Sequence, residues 1–200
     1  MAFFVIILSY LIGSISFSFL MGRLLRKLDI REHGSGNAGA TNTLRVLGVG
    51  PAIIVLLLDC AKGIVAVVIG LQVSNGDPVI AGACGLAAVL GHNWPIFHGF
   101  RGGKGVATTI GVLATLVFWP ALIAGTIAII SIIITRFVSL GSLLFMVGTT
   151  ILTASTFYLF DYSFTTVYFL VILTLLSIWR HRENIKRLRQ GTESKVGQKA

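Results

Sequence analysis

The sequence predicts an all-α integral membrane protein of seven transmembrane helices, with the N-terminus outside and the C-terminus in the cytoplasm. Three observations lead there. Of the 200 residues, 55% are hydrophobic and only 12% charged, where a soluble domain carries about 25% charged residues. The mean hydropathy is +0.91, so too little polar surface exists to coat a globule in water. Apolar stretches near the roughly 20 residues that cross a bilayer recur along the chain, and the basic residues fall almost wholly on one side of them.

The first span, 2–22, has no basic residue ahead of its apolar run, so it reads as a retained helix rather than a cleaved leader. Spans at 49–72 and 78–97 follow. The next two, 105–119 and 121–136, are short and parted by Trp119-Pro120, since proline tends to end a helix. A re-entrant arrangement there would lower the count to five or six. The last two spans are 138–160 and 164–180. With the N-terminus outside, the segments 23–48, 98–104, 137 and 181–200 face the cytoplasm. Of the 16 lysines and arginines, all but Lys62 lie in these segments or at the helix ends bordering them. The opposite loops, SNGD, WP and DYSF, carry only Asp77 and Asp161. Retention of positive charge on the inner side predicts this asymmetry. An even number of spans would put the first and last basic clusters on opposite faces, so the count is seven.

The net charge of +9 is therefore a matter of topology and does not point to nucleic acid. Cys60 and Cys84 sit inside apolar runs and read as small packing residues, with a disulfide between them left open. Residues 1–193 form one multi-pass domain and 194–200 a short polar tail. Membrane lipid is the one partner that composition demands, and a monomer is compatible with it.

Polar chemistry concentrates in three cytoplasmic segments. The first, GSGNAGATN at 34–42, contains G-x-G-x-x-G at Gly34, Gly36 and Gly39. As a dinucleotide fingerprint it fails, because no βαβ unit surrounds it. Successive glycines nevertheless let backbone N–H groups converge on an anion, and Ser35, Asn37, Thr41 and Asn42 add side-chain donors, with Arg45 beyond them. A plain flexible turn would explain the glycines but not this density of polar residues.

The second, GHNWPIFHGFRGGKGVATT at 91–109, is not a P-loop: counted around Lys104, His98 stands where the first glycine belongs and Gly105 where Ser or Thr belongs. Gly102, Gly103, Lys104 and Gly105 at the start of a helix still place N–H groups, a positive dipole end and an ammonium together, which suits a phosphate. A loop whose Lys and Arg merely set topology would leave the glycines unexplained. Trp94 fits the interfacial aromatic belt. The third, WRHRENIKRLRQGTE at 179–193, carries Arg180, Lys186 and Arg187, suited to lipid headgroups, and His181 and Asn184 three apart on one helix face. Asp59 and Lys62, also three apart, lie within the second span. A structural ion pair and a functional role are equally open for them.

No metal-ligand spacing occurs. Nor does a His-x4-Asp dyad: five residues after His33, His92, His98 and His181 come Ala38, Phe97, Gly103 and Lys186. These features favour a phosphate-bearing substrate met at the inner face. A small anion transporter is the rival class, but its binding groups would lie near the midplane.

Together, in order and spacing, the three segments resemble the three motifs of the bacterial membrane-integral acyl-phosphate:glycerol-3-phosphate acyltransferase family, over the chain to about residue 193. The resemblance implies acyl transfer from acyl phosphate to the 1-hydroxyl of glycerol 3-phosphate at the bacterial cytoplasmic membrane. The products would be lysophosphatidic acid and inorganic phosphate, in the first step of phospholipid synthesis, with no cofactor and no metal. It implies that the loop of Gly34, Ser35, Gly36, Asn37, Gly39, Thr41 and Asn42 cradles acyl phosphate. Arg45 and Lys104, with Gly102, Gly103 and Gly105, would hold glycerol 3-phosphate, and His181 and Asn184 would orient it. An acyl phosphate has a good leaving group, so positioning and charge stabilisation would carry catalysis, the departing phosphate taking the hydroxyl proton. A covalent Ser35 acyl-enzyme is the rival mechanism.

Overall fold

The computed structural model describes residues 1–197, so Lys199 and the end of the 194–200 tail lie outside the described residues. Helices are the only regular elements described, and they fall into two compact units, Met1–Thr115 and a second beginning at Leu116.

The first unit contains α1 (Ala2–Gly13), α2 (Phe17–Arg26), α3 (Ala40–Leu47), α4 (Val49–Val73), α5 (Pro78–Asn93) and α6 (Val106–Leu116), with 3-10 turns at Ile30–Glu32 and Ile96–His98. The expected first span is broken at Ser14–Ser16, and an interrupted helix in a membrane must have its freed backbone groups satisfied by neighbours. Lys62 does this, donating from Nζ to the Ile15 carbonyl at 2.9 Å. Pro78 occupies the first turn of α5 and Asp77 caps it, accepting from the Val79 N–H at 2.8 Å. Small residues bring the helices close. A Cβ on Gly13 would strike the Ala88 backbone, and one on Gly91 the Tyr10 carbonyl, so α1 and α5 meet backbone to backbone.

The second unit contains α7 (Phe118–Thr135), α8 (Val138–Thr156), α9 (Phe164–Arg180) and α10 (Arg182–Arg189). Arg136, at φ +62°, ends α7 in the left-handed conformation and turns the chain into α8. Thr150 and Thr174 hydroxyls, 2.8 Å apart, tie α8 to α9.

Among the described residues, five helical stretches are long and apolar enough to cross a membrane: Ala2–Arg26, Val49–Val73, Pro78–His98, Phe118–Thr135 and Val138–Thr156. The pair Phe164–Arg180 and Arg182–Arg189, bent by 59°, makes a sixth if taken as one span. The stretch expected to span over 105–119 is instead the 11-residue α6, about 16 Å long against a hydrocarbon core of about 30 Å. The break also lies earlier than expected. Val117 interrupts the helix, and Pro120 sits in the first turn of α7, where proline's missing N–H costs nothing. Cys60 and Cys84 are free thiols, the second fully buried.

Candidate active site

The first two polar segments meet in the first unit. Lys27, in the left-handed conformation at φ +55°, ends α2 and sends the chain into the Gly-rich loop. Asn42, 1% exposed, holds that loop from inside. Its Oδ1 accepts the Ser35 N–H at 2.8 Å, and its Nδ2 donates to the Ile30 and His33 carbonyls, both at 3.0 Å. Gly34 and Gly36 adopt φ of +60° and +71°, which a side chain would resist.

Of the N–H groups ahead of α3, those of Ser35, Gly36 and Gly39 are committed internally. Besides Ser35, Gly36 donates to the His33 carbonyl and Gly39 to the Asn37 carbonyl. The loop expected as an anion nest is thus braced from within by Asn42. It leaves the exposed Ser35 side chain and the first N–H groups of α3, which lacks a side-chain cap at Gly39, as its outward donors. Thr41 stands in that first turn, and Arg45 in the last turn of the same helix. Thr43 fastens α3 to α2 through the Ser18 hydroxyl at 2.9 Å.

The second segment is threaded against the first. After α5 the chain passes Pro95 and the turn at Ile96–His98, then Gly99 and Phe100 at positive φ, and reaches Gly102–Gly105 before α6. Arg31 clamps it, with Nη1 donating to the carbonyls of His98 at 2.7 Å and Arg101 at 3.3 Å. The Arg31 guanidinium also lies over Phe19, whose ring packs 4.5 Å from that of His98. Asp29 fixes Arg31 by a 2.7 Å ion pair. That hydrogen-bonded contact outweighs burial and lowers the Asp29 carboxyl to about 2, while the same bond raises Arg31. Gly103 is lodged between the His92 ring and the Ala38 carbonyl so closely that a Cβ would overlap both. Lys104, the next residue, thus emerges beside the Ser35 loop.

Beneath the loop lies the Asp59–Lys62 pair, buried to 1% and 4% exposure. Lys62 Nζ stands 2.8 Å from Asp59 Oδ1 and 2.9 Å from His92 Nδ1. The pair therefore reaches the Lys104 loop through His92, a residue that the sequence reading treated only as a dyad candidate. Asn93 and Thr108 were also passed over. Both are buried, and neither the Asn93 amide nor the Thr108 hydroxyl has a hydrogen-bond partner among the described residues. Their signal was their place inside the second motif.

The third segment is organised within the second unit. His181 follows α9 and is 2% exposed. Its Nδ1 lies 2.8 Å from the Ser177 carbonyl, to which only an N–H can donate, so neutral imidazole keeps its lone pair on Nε2. Asn184 donates from Nδ2 to Glu193 Oε1 at 2.6 Å, and Ser139 of α8 donates to the same oxygen at 2.7 Å. Arg187 Nε meets Oε2 at 2.7 Å. Burial pushes the Glu193 carboxyl up, but the hydrogen bonds from Ser139, Asn184 and Arg187 together hold it below its ordinary range. Glu193 is thus the organising residue of the segment. Its signal in the sequence was an acid closing a basic run. No group of three or more His, Cys, Asp or Glu among the described residues could hold a metal ion.

Known proteins of similar sequence and structure bear on this arrangement. A family profile described as "Glycerol-3-phosphate acyltransferase" matches residues 3–191. A relative of that name from Halalkalibacterium halodurans is 60% identical over 192 residues, spanning 96% of this chain and 93% of its own. Another, from Coxiella burnetii, is 46% identical over 200 residues, covering 98% of this chain and 99% of its own. Two crystal structures of PlsY, described as an integral membrane glycerol 3-phosphate acyltransferase, are each 36% identical and cover 98% of this chain. The glycerol 3-phosphate form has a TM-score of 0.90 with 96% of that chain covered. The lysophosphatidic acid form has a TM-score of 0.88 with 95% covered.

Proposed function

The chain belongs to the glycerol-3-phosphate acyltransferase family and is an integral membrane acyltransferase, and on that premise we propose that it transfers a fatty acyl group from acyl phosphate to the 1-hydroxyl of glycerol 3-phosphate. The products are lysophosphatidic acid and inorganic phosphate, in the first step of phospholipid synthesis. The observation that carries this reading is the seating of Gly103 against Ala38, under the Arg31 clamp, which sets Lys104 beside the Ser35 loop. Two phosphate-bearing substrates require two cationic or donor-rich places within reach of each other, and the approach of Gly103 to Ala38 supports drawing them from these two motifs.

Each residue then has a part. The loop of Gly34, Ser35, Gly36, Asn37 and Gly39 receives acyl phosphate at the Ser35 hydroxyl and the first turn of α3, where Thr41 stands, with Asn42 as its internal brace. Lys104 and Arg45 bind glycerol 3-phosphate by charge-assisted contacts, and Gly102, Gly103 and Gly105 permit the backbone path that Lys104 needs. His181 Nε2 accepts from a substrate hydroxyl, and Asn184, fixed by Glu193, orients the same substrate.

The 1-hydroxyl oxygen attacks the acyl carbon, the bond from that carbon to the phosphate oxygen breaks, and the departing phosphate takes the hydroxyl proton. Donors aimed at the developing charge, not a strong protein nucleophile, lower the barrier. A Ser35 acyl-enzyme would need a base on the Ser35 hydroxyl, and among the described residues that hydroxyl has no hydrogen-bond partner.

Residues 1–193 work as one domain in the bacterial cytoplasmic membrane, with α6 as a seventh, partial crossing, the N-terminus outside and the site open to the cytoplasm, where the basic segments lie. The experiment is release of inorganic phosphate from acyl phosphate by detergent-solubilised protein. Release that depends on glycerol 3-phosphate supports an interfacial enzyme, whereas a transporter needs a sealed vesicle and would release none.

A further inference from the structure

His92 has no part in the reaction just described, yet its surroundings are built with care. It ends α5, buried at 6% exposure, between the Asp59–Lys62 pair and the Gly102–Gly105 loop. Lys62 Nζ is 2.8 Å from Asp59 Oδ1, 2.9 Å from the Ile15 carbonyl and 2.9 Å from His92 Nδ1. An ammonium only donates: Lys62 hydrogen-bonds the Ile15 carbonyl and His92 Nδ1 and pairs by charge with Asp59, whose Oδ1 also lies 3.5 Å from His92 Nδ1, so Nδ1 of His92 is the acceptor from Lys62. The ring proton then belongs on Nε2, an assignment that follows from the network. That edge of the ring faces Gly103, where a Cβ would overlap Nε2. The Gly103 N–H in turn donates to the His92 carbonyl at 3.2 Å.

We propose that His92 is a positioning residue for Lys104, its ring anchored at Nδ1 by the buried Asp59–Lys62 pair and its Nε2 edge and carbonyl together fixing the Gly102–Gly103–Lys104 turn. The proposal rests on the reading of Lys104 as the cation that binds glycerol 3-phosphate. An ion pair serving helix packing alone would need Asp59, Lys62 and any third acceptor. It would not need that acceptor to lie directly under the loop, nor glycine at the point of contact. Ionisable groups at this depth are costly, and here their rigidity is delivered to the one loop that carries a substrate-binding lysine. This explains why Asp59 and Lys62 lie buried within the span.

The test uses His92→Asn in the full-length detergent-solubilised protein. Asparagine can place an amide oxygen near the Nδ1 position, keeping the acceptor for Lys62, but it has nothing at Nε2. The expected result is an unchanged unfolding temperature, with an apparent KM for glycerol 3-phosphate raised by about tenfold to 100-fold and kcat changed less. Amide hydrogen exchange should rise in peptides covering 99–106 and stay the same in α4 and α5. His92→Gln, which reaches the Nε2 position but leaves Lys62 one acceptor short, should lower the unfolding temperature instead. If His92→Asn does not fold, Gly103→Ala approaches the same contact from the loop side and should show the same local exchange and KM effects. Wild-type KM and wild-type exchange in the loop, or exchange rising equally through α4 and α5, would overturn the proposal. The exchange measurement needs no turnover. If the wild-type protein releases no phosphate, the reading of the reaction fails, while loop protection still decides whether His92 holds the turn.

Discussion

Replacing Glu193 by alanine should uncouple the third motif. The carboxylate, 5% exposed in its side chain, receives three donors: Ser139 Oγ at 2.7 Å, Asn184 Nδ2 at 2.6 Å and Arg187 Nε at 2.7 Å. The Arg187 arm is 42% exposed, so water can replace that contact and its loss costs well under about 1 kcal/mol. The Ser139 and Asn184 donors are buried, and a buried donor stranded without its acceptor costs about 1–3 kcal/mol. Together the substitution should destabilise the second unit by about 3–5 kcal/mol, a large share of the roughly 5–15 kcal/mol that holds a protein folded. A loss of that size lowers the unfolding temperature by roughly 6–20 °C in a chain of this length. The assay is thermal unfolding in detergent, with phosphate release measured well below the transition. Activity should fall with stability, because Asn184 loses the partner that aims it. Glu193→Gln should be intermediate, since one amide oxygen still accepts from a buried donor. Adding Asn184→Ala to Glu193→Ala should cost little more, as both act through one contact. Unchanged unfolding and activity in Glu193→Ala would refute the assignment of Glu193 as the organising residue.

Lys104→Ala and Arg45→Ala should each raise the apparent KM for glycerol 3-phosphate by about tenfold to 150-fold, the loss of one charge-assisted contact of about 1.5–3 kcal/mol; wild-type kinetics in either would mean that the loops do not form one site. His181→Gln should keep measurable turnover with a shallow pH–rate profile, because glutamine can reach the Nε2 position as an acceptor. A loss as deep as that of an empty site would make His181 the base. The acid dependence has a defined sign. Asp29 is lowered from 3.8 to about 2, so its bond to Arg31 contributes stability fully above the unfolded value and loses it as pH falls through the folded one. The stability difference between wild type and Asp29→Asn should therefore shrink over that interval, and a difference constant in pH would contradict the clamp. Glu193, also lowered, should behave likewise below its ordinary carboxylate range.

The polar residues most plainly readable in the sequence were those whose chemistry is local. Composition and charge asymmetry led to helices in a membrane, and spacing placed Lys104, Arg45 and His181 in three polar segments. What escaped was set by contacts across long sequence separations. Gly13 and Ser14 hint at a weak point, but the group that satisfies the break at Ser14–Ser16, Lys62, lies 47 residues away. Pro120 marks the helix interruption only nearby: it opens α7, while the break itself falls at Val117. Asn42 offers the same amide whether it faces a ligand or its own loop. Only the fold shows it bonded to Ser35, Ile30 and His33. His92 was invisible for a related reason, since a histidine between two helices becomes informative only once Asp59, Lys62 and Gly103 are found around it.

The central claim is that acyl phosphate is the donor and that its own phosphate leaves with the proton. Purified protein given glycerol 3-phosphate with acyl phosphate, and separately with an acyl thioester, tests it directly. Release of one inorganic phosphate per lysophosphatidic acid formed from the first mixture, and no product from the second, is the predicted result. Product from the thioester at an equal rate, or phosphate released without glycerol 3-phosphate, would contradict it.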